Sequence, residues 1–345
     1  MIFHLEMIMN RIIISIFLSL TIAYSALAKP VVAQFISYYD NKEYRLPDAT
    51  KITHLIFSPA RINKDISLDM SRFEKYLDNI PQLKEKNPDL KVSLLIGGAR
   101  SQNFSEACAT PESRAKFLDI LGNIIQKYNL DGIDLDWEFP GVARKEYGQN
   151  ATPQDVDNYT LLMKEYKARF PNKILTVDIG NEVKNLDYAN VQKYVDYFHL
   201  MSYDYSTIKH NAPLYRSKMT KRASVSESVE KLMKLVPAKK IVMGVPFYGH
   251  FIKNPKDVNA QISYESAQEY IKKYDLTLCR DEVAKCPFYI DYDHNVKIIC
   301  EDEISIREKC RFAKSKKLAG VVAWQHLNDD AQQTLTKAMF DEMNK

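Results

Sequence analysis

The chain predicts an α/β fold, a (β/α)8 TIM barrel with a small α+β insertion between the seventh and eighth strands. Three observations carry this expectation. Eight short apolar runs alternate with longer amphipathic stretches along the 345 residues, the rhythm of parallel strands joined by crossover helices. Eight such units in about 300 residues is the size of a closed barrel. One interval, from Tyr248 to Gly320, is about twice the length that a single β/α unit needs. A doubly wound open sheet is the alternative, but no Gly-rich phosphate loop supports it.

In chain order, residues 1–28 read as a secretory signal. Asn10-Arg11 precedes an apolar run from Ile12 to Ala23, and Ala26-Leu27-Ala28 has the small-x-small form of a cleavage site. The run falls short of the roughly 20 residues a membrane span needs. Glu6 fits a positive leader poorly, which makes Met9 a candidate start. The barrel domain then covers residues 29–345. Strands are expected at Val31–Ser37, His54–Ser58, Lys91–Ile96, Gly132–Trp137, Ile174–Ile179, Tyr197–Ser202, Ile241–Pro246 and Gly320–Trp324. Between them, Glu112–Tyr128 sets Phe117, Ile120, Leu121, Ile124 and Ile125 on one helical stripe, and Pro153–Phe170 is a second amphipathic stretch. Residues 251–300 form the expected inserted subdomain.

The formal net charge is +4, and no basic stripe marks a nucleic-acid partner; Lys314 to Lys317 read as a solvated helix face. Five cysteines lie at Cys108, Cys279, Cys286, Cys300 and Cys310. Export would place them in an oxidising compartment, so disulfides are expected, with Cys279–Cys286 suggested by proximity and the connectivity left open. Sequons stand at Asn103, Asn150 and Asn158. No Cys-x-x-Cys or histidine cluster suggests zinc, and no cofactor or metal is expected. A monomer, secreted or extracytoplasmic, without membrane association once the leader is removed, completes this reading.

The chemistry concentrates in Asp131-Gly-Ile-Asp-Leu-Asp-Trp-Glu-Phe-Pro140. Side chains alternate faces along a strand, so Asp134, Asp136 and Glu138 share one face over about 13 Å. Ile133, Leu135, Trp137 and Phe139 make the opposite face fit for packing under helices. Asp131 falls off the reactive parity, and a structural role is expected for it. Buried acids this close cannot all ionise, so at least one keeps its proton. A carboxyl held protonated near neutral pH suits a general acid, and Glu138, outermost, would protonate a departing glycosidic oxygen. A second carboxylate about 5 Å across the site is the usual nucleophile, yet these acids all sit on one strand. That suits the exception in which the sugar's own N-acetyl oxygen attacks its anomeric carbon, with Asp136 holding the acetamide N–H. A Ca²⁺ or Mg²⁺ site is the rival reading, though the spacing does not match a calcium loop.

This segment resembles the signature of glycoside hydrolase family 18, the chitinases and their relatives. Further stretches are similar to that family in order: Lys91 to Gly98, Met201-Ser202-Tyr203-Asp204, His210 to Tyr215, Gly244 to Gly249, and Gly320 to Trp324 with Asp329-Asp330. The resemblance implies that Tyr203 donates its hydroxyl to the N-acetyl oxygen. It implies that Asp204 bonds the distorted sugar, that Trp324 floors the pocket, and that Asp134 shares a proton with Asp136. Met201 and Tyr248 would line the cavity, with Tyr38 and Gln34 as further binding residues. The implied partner is an N-acetylglucosamine-containing oligo- or polysaccharide, chitin or its oligomers. An endo-N-acetylglucosaminidase on N-glycans or peptidoglycan, and a non-catalytic sugar-binding protein, stay open.

The chain departs from the family pattern at several places. Leu95 stands where serine or alanine usually precedes Ile-Gly-Gly, and Gln34 is read as replacing the first-strand tyrosine. Asp134 would then lose its usual partners unless Gln34 substitutes. Pro59 and Ala99 stand where aromatics are expected, no tryptophan occurs between Tyr205 and His210, and His250 takes the place of an arginine. Sugar polymers are gripped by aromatic faces, so short soluble oligomers are expected to suit the cleft better than crystalline chains.

Overall fold

In the computed structural model, the eight apolar runs close into a parallel barrel. The structure describes residues 29–38, 44–220, 222–253, 260–291, 293 and 296–345; the expected signal segment, 1–28, lies outside them. The elements are β1 (Val31–Ser37), β2 (His54–Ile62), β3 (Leu68–Asp69), α1 (Ile80–Lys86), β4 (Lys91–Gly97), α2 (Phe104–Cys108), α3 (Pro111–Lys127) and β5 (Gly132–Asp136). They continue as α4 (Asp155–Arg169), β6 (Ile174–Gly180), α5 (Tyr188–Val191), β7 (Tyr197–Met201), α6 (Val225–Met233) and β8 (Ile241–Pro246). After an inserted sheet come α8 (Glu303–Ser315), β14 (Gly320–Trp324) and α9 (Thr334–Met343). The strands run β1-β14-β8-β7-β6-β5-β4-β2, and β2 pairs back onto β1 to close the ring. The chain is a TIM barrel.

Strand parity sorts side chains into two layers. Facing the helices, Ile133 and Leu135 of β5 join Leu94, Ile96, Phe117, Leu121, Leu162 and Tyr166 in one large core. Each such side chain contributes roughly 1.5–3 kcal/mol when fully buried. Inside the ring, Val31, Ala33, Phe35, Ile56, Leu95, Val242 and Val322 pack together. The helices begin where local chemistry dictates. Thr110 caps α3 by accepting from the Ser113 amide while Ser113 accepts from Thr110, and Pro111 starts the first turn.

Five strands differ from expectation. Lys91–Ile96 and Ile174–Ile179 run one residue further, to Gly97 and Gly180, and Tyr197–Ser202 stops one short, at Met201. His54–Ser58 continues to Ile62, with an irregularity against β4 between Phe57 and Ala60. Gly132–Trp137 stops at Asp136, because Trp137 leaves the ladder to stack on Phe104, ring centroids 5.1 Å apart, and to meet Tyr159 edge-on.

Between β8 and α8 the chain forms β9 (Tyr248–Lys253), β10 (Ala260–Ser263), α7 (Tyr264–Lys273), β11 (Thr277–Asp281), β12 (Cys286–Asp291) and β13 (Val296–Ile299). These strands make a five-stranded antiparallel sheet around Ala267, Leu276, Tyr289, Val296 and Ile298. The expected disulfide is absent: all five cysteines are free thiols. Register gives the reason. Cys279 faces Phe288 and Cys286 faces Asp281, so the two thiols sit on a diagonal. Diagonal neighbours lie about 7–8 Å apart, beyond the roughly 4.4–6.8 Å that a disulfide spans. Burial also pushes the thiol of Cys286 up to about 12, which suppresses the thiolate that oxidation needs.

Barrel closure depends on one close approach. Gly320 sits so near β1 that a Cβ there would lie 1.9 Å from the Val31 carbonyl oxygen. Gly320→Ala is expected to destabilise the fold by about 1–3 kcal/mol or more, read as a lowered Tm; an unchanged Tm would show that the β1–β14 seam yields freely.

Candidate active site

The cleft opens at the carboxyl ends of the barrel strands, where catalytic groups sit in this fold. It encloses about 1110 Å³ and is lined by Asp136, Glu138, Asp178, Tyr203, Asp204 and Trp324 among others. Asp134 and Asp136 point into the ring from β5, as their parity requires. Asp134 is fully buried and Asp136 almost so. Gly97 makes room for this strand: its φ of +125° is open to glycine, and a Cβ there would lie 2.0 Å from the Asp136 carbonyl. Glu138 follows the end of β5, on the rim. Burial pushes its carboxyl up to about 6; the Arg144 guanidinium pulls it down and the Asp204 carboxylate pushes it up. Burial, then the charges of Glu138 and Asp134, hold Asp136 well above the ordinary carboxylate range.

Asp204, in a left-handed conformation at φ 61°, accepts a 2.5 Å hydrogen bond from the Tyr248 hydroxyl. Its backbone amide donates to Asn211 Oδ1 at 2.9 Å. Tyr203 lies beside Tyr248, with ring centroids 6.0 Å apart in an edge-on arrangement. Trp324 packs on Phe35, centroids 5.3 Å apart, and forms part of the cleft wall with Met201. The structure therefore brings Glu138, Asp136, Tyr203, Asp204, Met201, Tyr248 and Trp324 around one cavity. Asp134 lies directly below it, since β5 continues inward from Asp136.

Two expected residues are elsewhere. Gln34 has the opposite parity: it faces the helix layer and donates to the Thr336 hydroxyl at 2.6 Å. The inward residue of β1 is Phe35, one position on, which offers Asp134 no hydrogen bond. Tyr38 lies past the end of β1 and is buried in a stack with Tyr76 and Tyr44, centroids 3.9 and 5.5 Å away; it does not line the cleft. Asp131 sits at the other end of β5, bonded to Lys84 Nζ at 2.7 Å and to the Val92 amide at 2.8 Å.

Other residues emerge only from the fold. In register, Thr176 of β6 lies beside Asp134 and its hydroxyl donates to Asp134 Oδ1. His199 of β7 places Nδ1 3.3 Å from the same oxygen. These groups, rather than Gln34, attend Asp134. Asp178 of β6 is a fourth buried acid inside the ring, so the acids do not all lie on one strand. Its position in Leu175-Thr-Val-Asp-Ile179, a lone acid in an apolar run at the parity of Thr176, was the available signal. The ligand-type atoms of Asp134, Asp178 and His199 all lie within 4.8 Å of one another, the one such set among the described residues.

The sequence profile of glycosyl hydrolases family 18 matches residues 34–329. Chitinase A1 of Niallia circulans is 29% identical over 304 residues, which cover 75% of this chain and 43% of that protein. Probable chitinase 2 of Drosophila melanogaster is 32% identical over 289 residues, 72% of this chain and 58% of that protein. The chain thus spans about half the length of these two relatives. Among solved structures, a family 18 N-acetylglucosaminidase from Paenibacillus barengoltzii superposes with a TM-score of 0.79 at 30% identity, covering 91% of this chain and 99% of that one.

The pair Glu138–Asp204 generates a pH prediction. Activity that requires protonated Glu138 falls as pH rises through about 6. Asp204→Asn removes a charge that favours this proton, so the alkaline limb of kcat is expected to move to lower pH, with lower turnover. A limb that stays in place or moves up would show that Asp204 does not act on Glu138.

Proposed function

Because the chain belongs to glycosyl hydrolase family 18, we propose that this chitinase-type glycosidase is an exported enzyme that cleaves β-1,4-linked N-acetylglucosamine oligomers with retention. The observation that carries the reading is Glu138, a rim carboxyl held up to about 6, above buried Asp136 and beside Tyr203. Glu138 gives its proton to the leaving oxygen. The substrate's acetamide oxygen attacks the anomeric carbon, aimed by the Tyr203 hydroxyl, while Asp136 takes the acetamide N–H and offsets the positive charge that develops. Glu138, now ionised, then draws a proton from the water that opens the intermediate. No protein nucleophile is invoked: the Asp204 carboxylate accepts from the Tyr248 hydroxyl, and the Asp178 carboxyl is engaged with Asp134.

The cleft favours short chains. Where stacking rings were expected, its lining has Pro59 and Ala99, with Arg61, Arg72 and Arg100 nearby. Phe139, Tyr203, Tyr248 and Trp324 gather around the acids instead. A second reading, N-acetylglucosaminidase action, is favoured by the Paenibacillus relative, which matches over nearly its whole length.

The test is turnover of a fluorogenic chitobioside beside a cellobioside of the same leaving group. The wild type is expected to cleave only the former, and Glu138→Gln to lose at least about a hundredfold in kcat. Equal cleavage of the cellobioside would refute the acetamide as nucleophile. Soluble hexamer is expected to be consumed faster than insoluble chitin; processive attack on the insoluble form would refute the short-chain reading.

A further inference from the structure

Asp178 has no part in the mechanism above, although it lies in the same barrel. It projects inward from β6 and is 5% exposed. In register its neighbour is His199, whose Nδ1 is 3.8 Å from Asp178 Oδ1. Its carboxyl is within hydrogen-bonding reach of Asp134. Among the described residues, Asp178 Oδ1 and Asp134 Oδ2 are both buried and have no conventional donor. An ionised carboxylate only accepts hydrogen bonds. Two desolvated acceptors that meet must therefore hold a proton between them, or a cation.

We propose that Asp178 is a positioning residue: it stays protonated and donates to Asp134, so that one proton shared between β5 and β6 fixes Asp134 beneath Asp136. The other oxygen of Asp134 takes the remaining negative charge, with the Thr176 hydroxyl as donor and His199 Nδ1 at 3.3 Å. From the opposite side Phe35 and Leu95 pack against the acids' half of the ring, and neither offers a donor, so support for Asp134 must come from β6 and β7. The titratable groups around Asp178 are Asp134, Asp136 and Glu138 from β5, His199 and Tyr203 from β7 and the loop after it, and Tyr159 from α4. Burial and the carboxylates Asp134 and Asp136 oppose its ionisation. A cation among Asp134, Asp178 and His199 is the competing explanation. The direct contact between the two carboxyls, and the engagement of Asp134 by Thr176, favour the proton.

The activity arm of the test rests on the mechanism proposed above; the stability arm does not. A carboxyl protonated in the fold and ionised when unfolded contributes stability at low pH and loses it as pH rises. Asp178→Asn keeps a donor and cannot ionise. Its Tm is therefore expected to gain on the wild type by several degrees from about pH 5 to about pH 8. Its kcat at acid pH should stay within about threefold of wild type, while Asp178→Ala should lose about tenfold or more at unchanged KM. A Tm gap that does not change with pH, or Asn as damaging as Ala at acid pH, would overturn the proposal. So would a stoichiometric metal in the purified protein that Asp178→Asn releases. If Asp178→Ala does not fold, the Asn arm still decides. An inactive wild type with the Tm pattern intact would defeat the substrate reading alone.

Discussion

A carboxylate inside a closed barrel has no water to fall back on, and that constraint organises the rest of this molecule. Asp134, Asp136 and Asp178 are all at or below 5% exposure. Two ionised carboxylates within 4.8 Å of each other would oppose by about 3–4 kcal/mol even at an effective dielectric of about 20. That is a large share of the 5–15 kcal/mol by which a typical domain is stable. The ring can close around these acids only if most of them keep protons or find donors. The same arrangement that threatens the fold supplies the trapped protons that acid catalysis needs.

The barrel interior is divided accordingly. β1, β2, β4, β8 and β14 contribute Phe35, Ile56, Leu95, Val242 and Val322, an apolar half that excludes water. β5, β6 and β7 contribute Asp134, Asp136, Thr176, Asp178 and His199, a polar half whose members serve one another. Neither half works alone. The apolar side raises the cost of charge and so lifts the carboxyls; the polar side offers the Thr176 hydroxyl that lowers the cost at Asp134. Towards the rim the environment relaxes, and Glu138 comes to about 6, where a proton can be given and recovered.

The sequence made the outer layer and one strand of the inner layer legible. Apolar runs located β1, β8 and β14 to the residue, because buried parallel strands are bounded sharply by turn residues and helix starts. Parity along Asp131–Glu138 placed three acids together without any neighbour. The error at Gln34 is a slip of one residue in matching β1 to the family pattern: such a shift exchanges inside for outside, and in a strand buried on both faces composition cannot reveal which face is which. The role of Asp178 is not legible locally, because it lies in a neighbouring strand's register, which no local pattern encodes. Tyr38 belonged to a ring stack assembled from residues up to 38 positions apart (Tyr38 to Tyr76), and the separation of Cys279 from Cys286 followed from a hairpin register that spacing alone could not give.

The inserted sheet is tied to the chemistry by a short path. At the end of β11, Asp281 is bonded to His210 Nε2 at 3.0 Å and accepts from the Ser217 hydroxyl at 2.7 Å. The Leu214 amide donates to the Ala284 carbonyl at 2.9 Å. These bonds fasten both ends of the loop that carries Asn211, and Asn211 receives the amide of Asp204 and donates to the Tyr248 carbonyl. Asp204 has a left-handed backbone, a conformation that a non-glycine residue keeps only when its surroundings hold it. The insertion thus acts as a brace: it fixes a loop, the loop fixes Asp204, and the Asp204 carboxylate adds to the burial that keeps the proton on Glu138. A barrel with the same acids and no such sheet would leave the last of these links to a free loop.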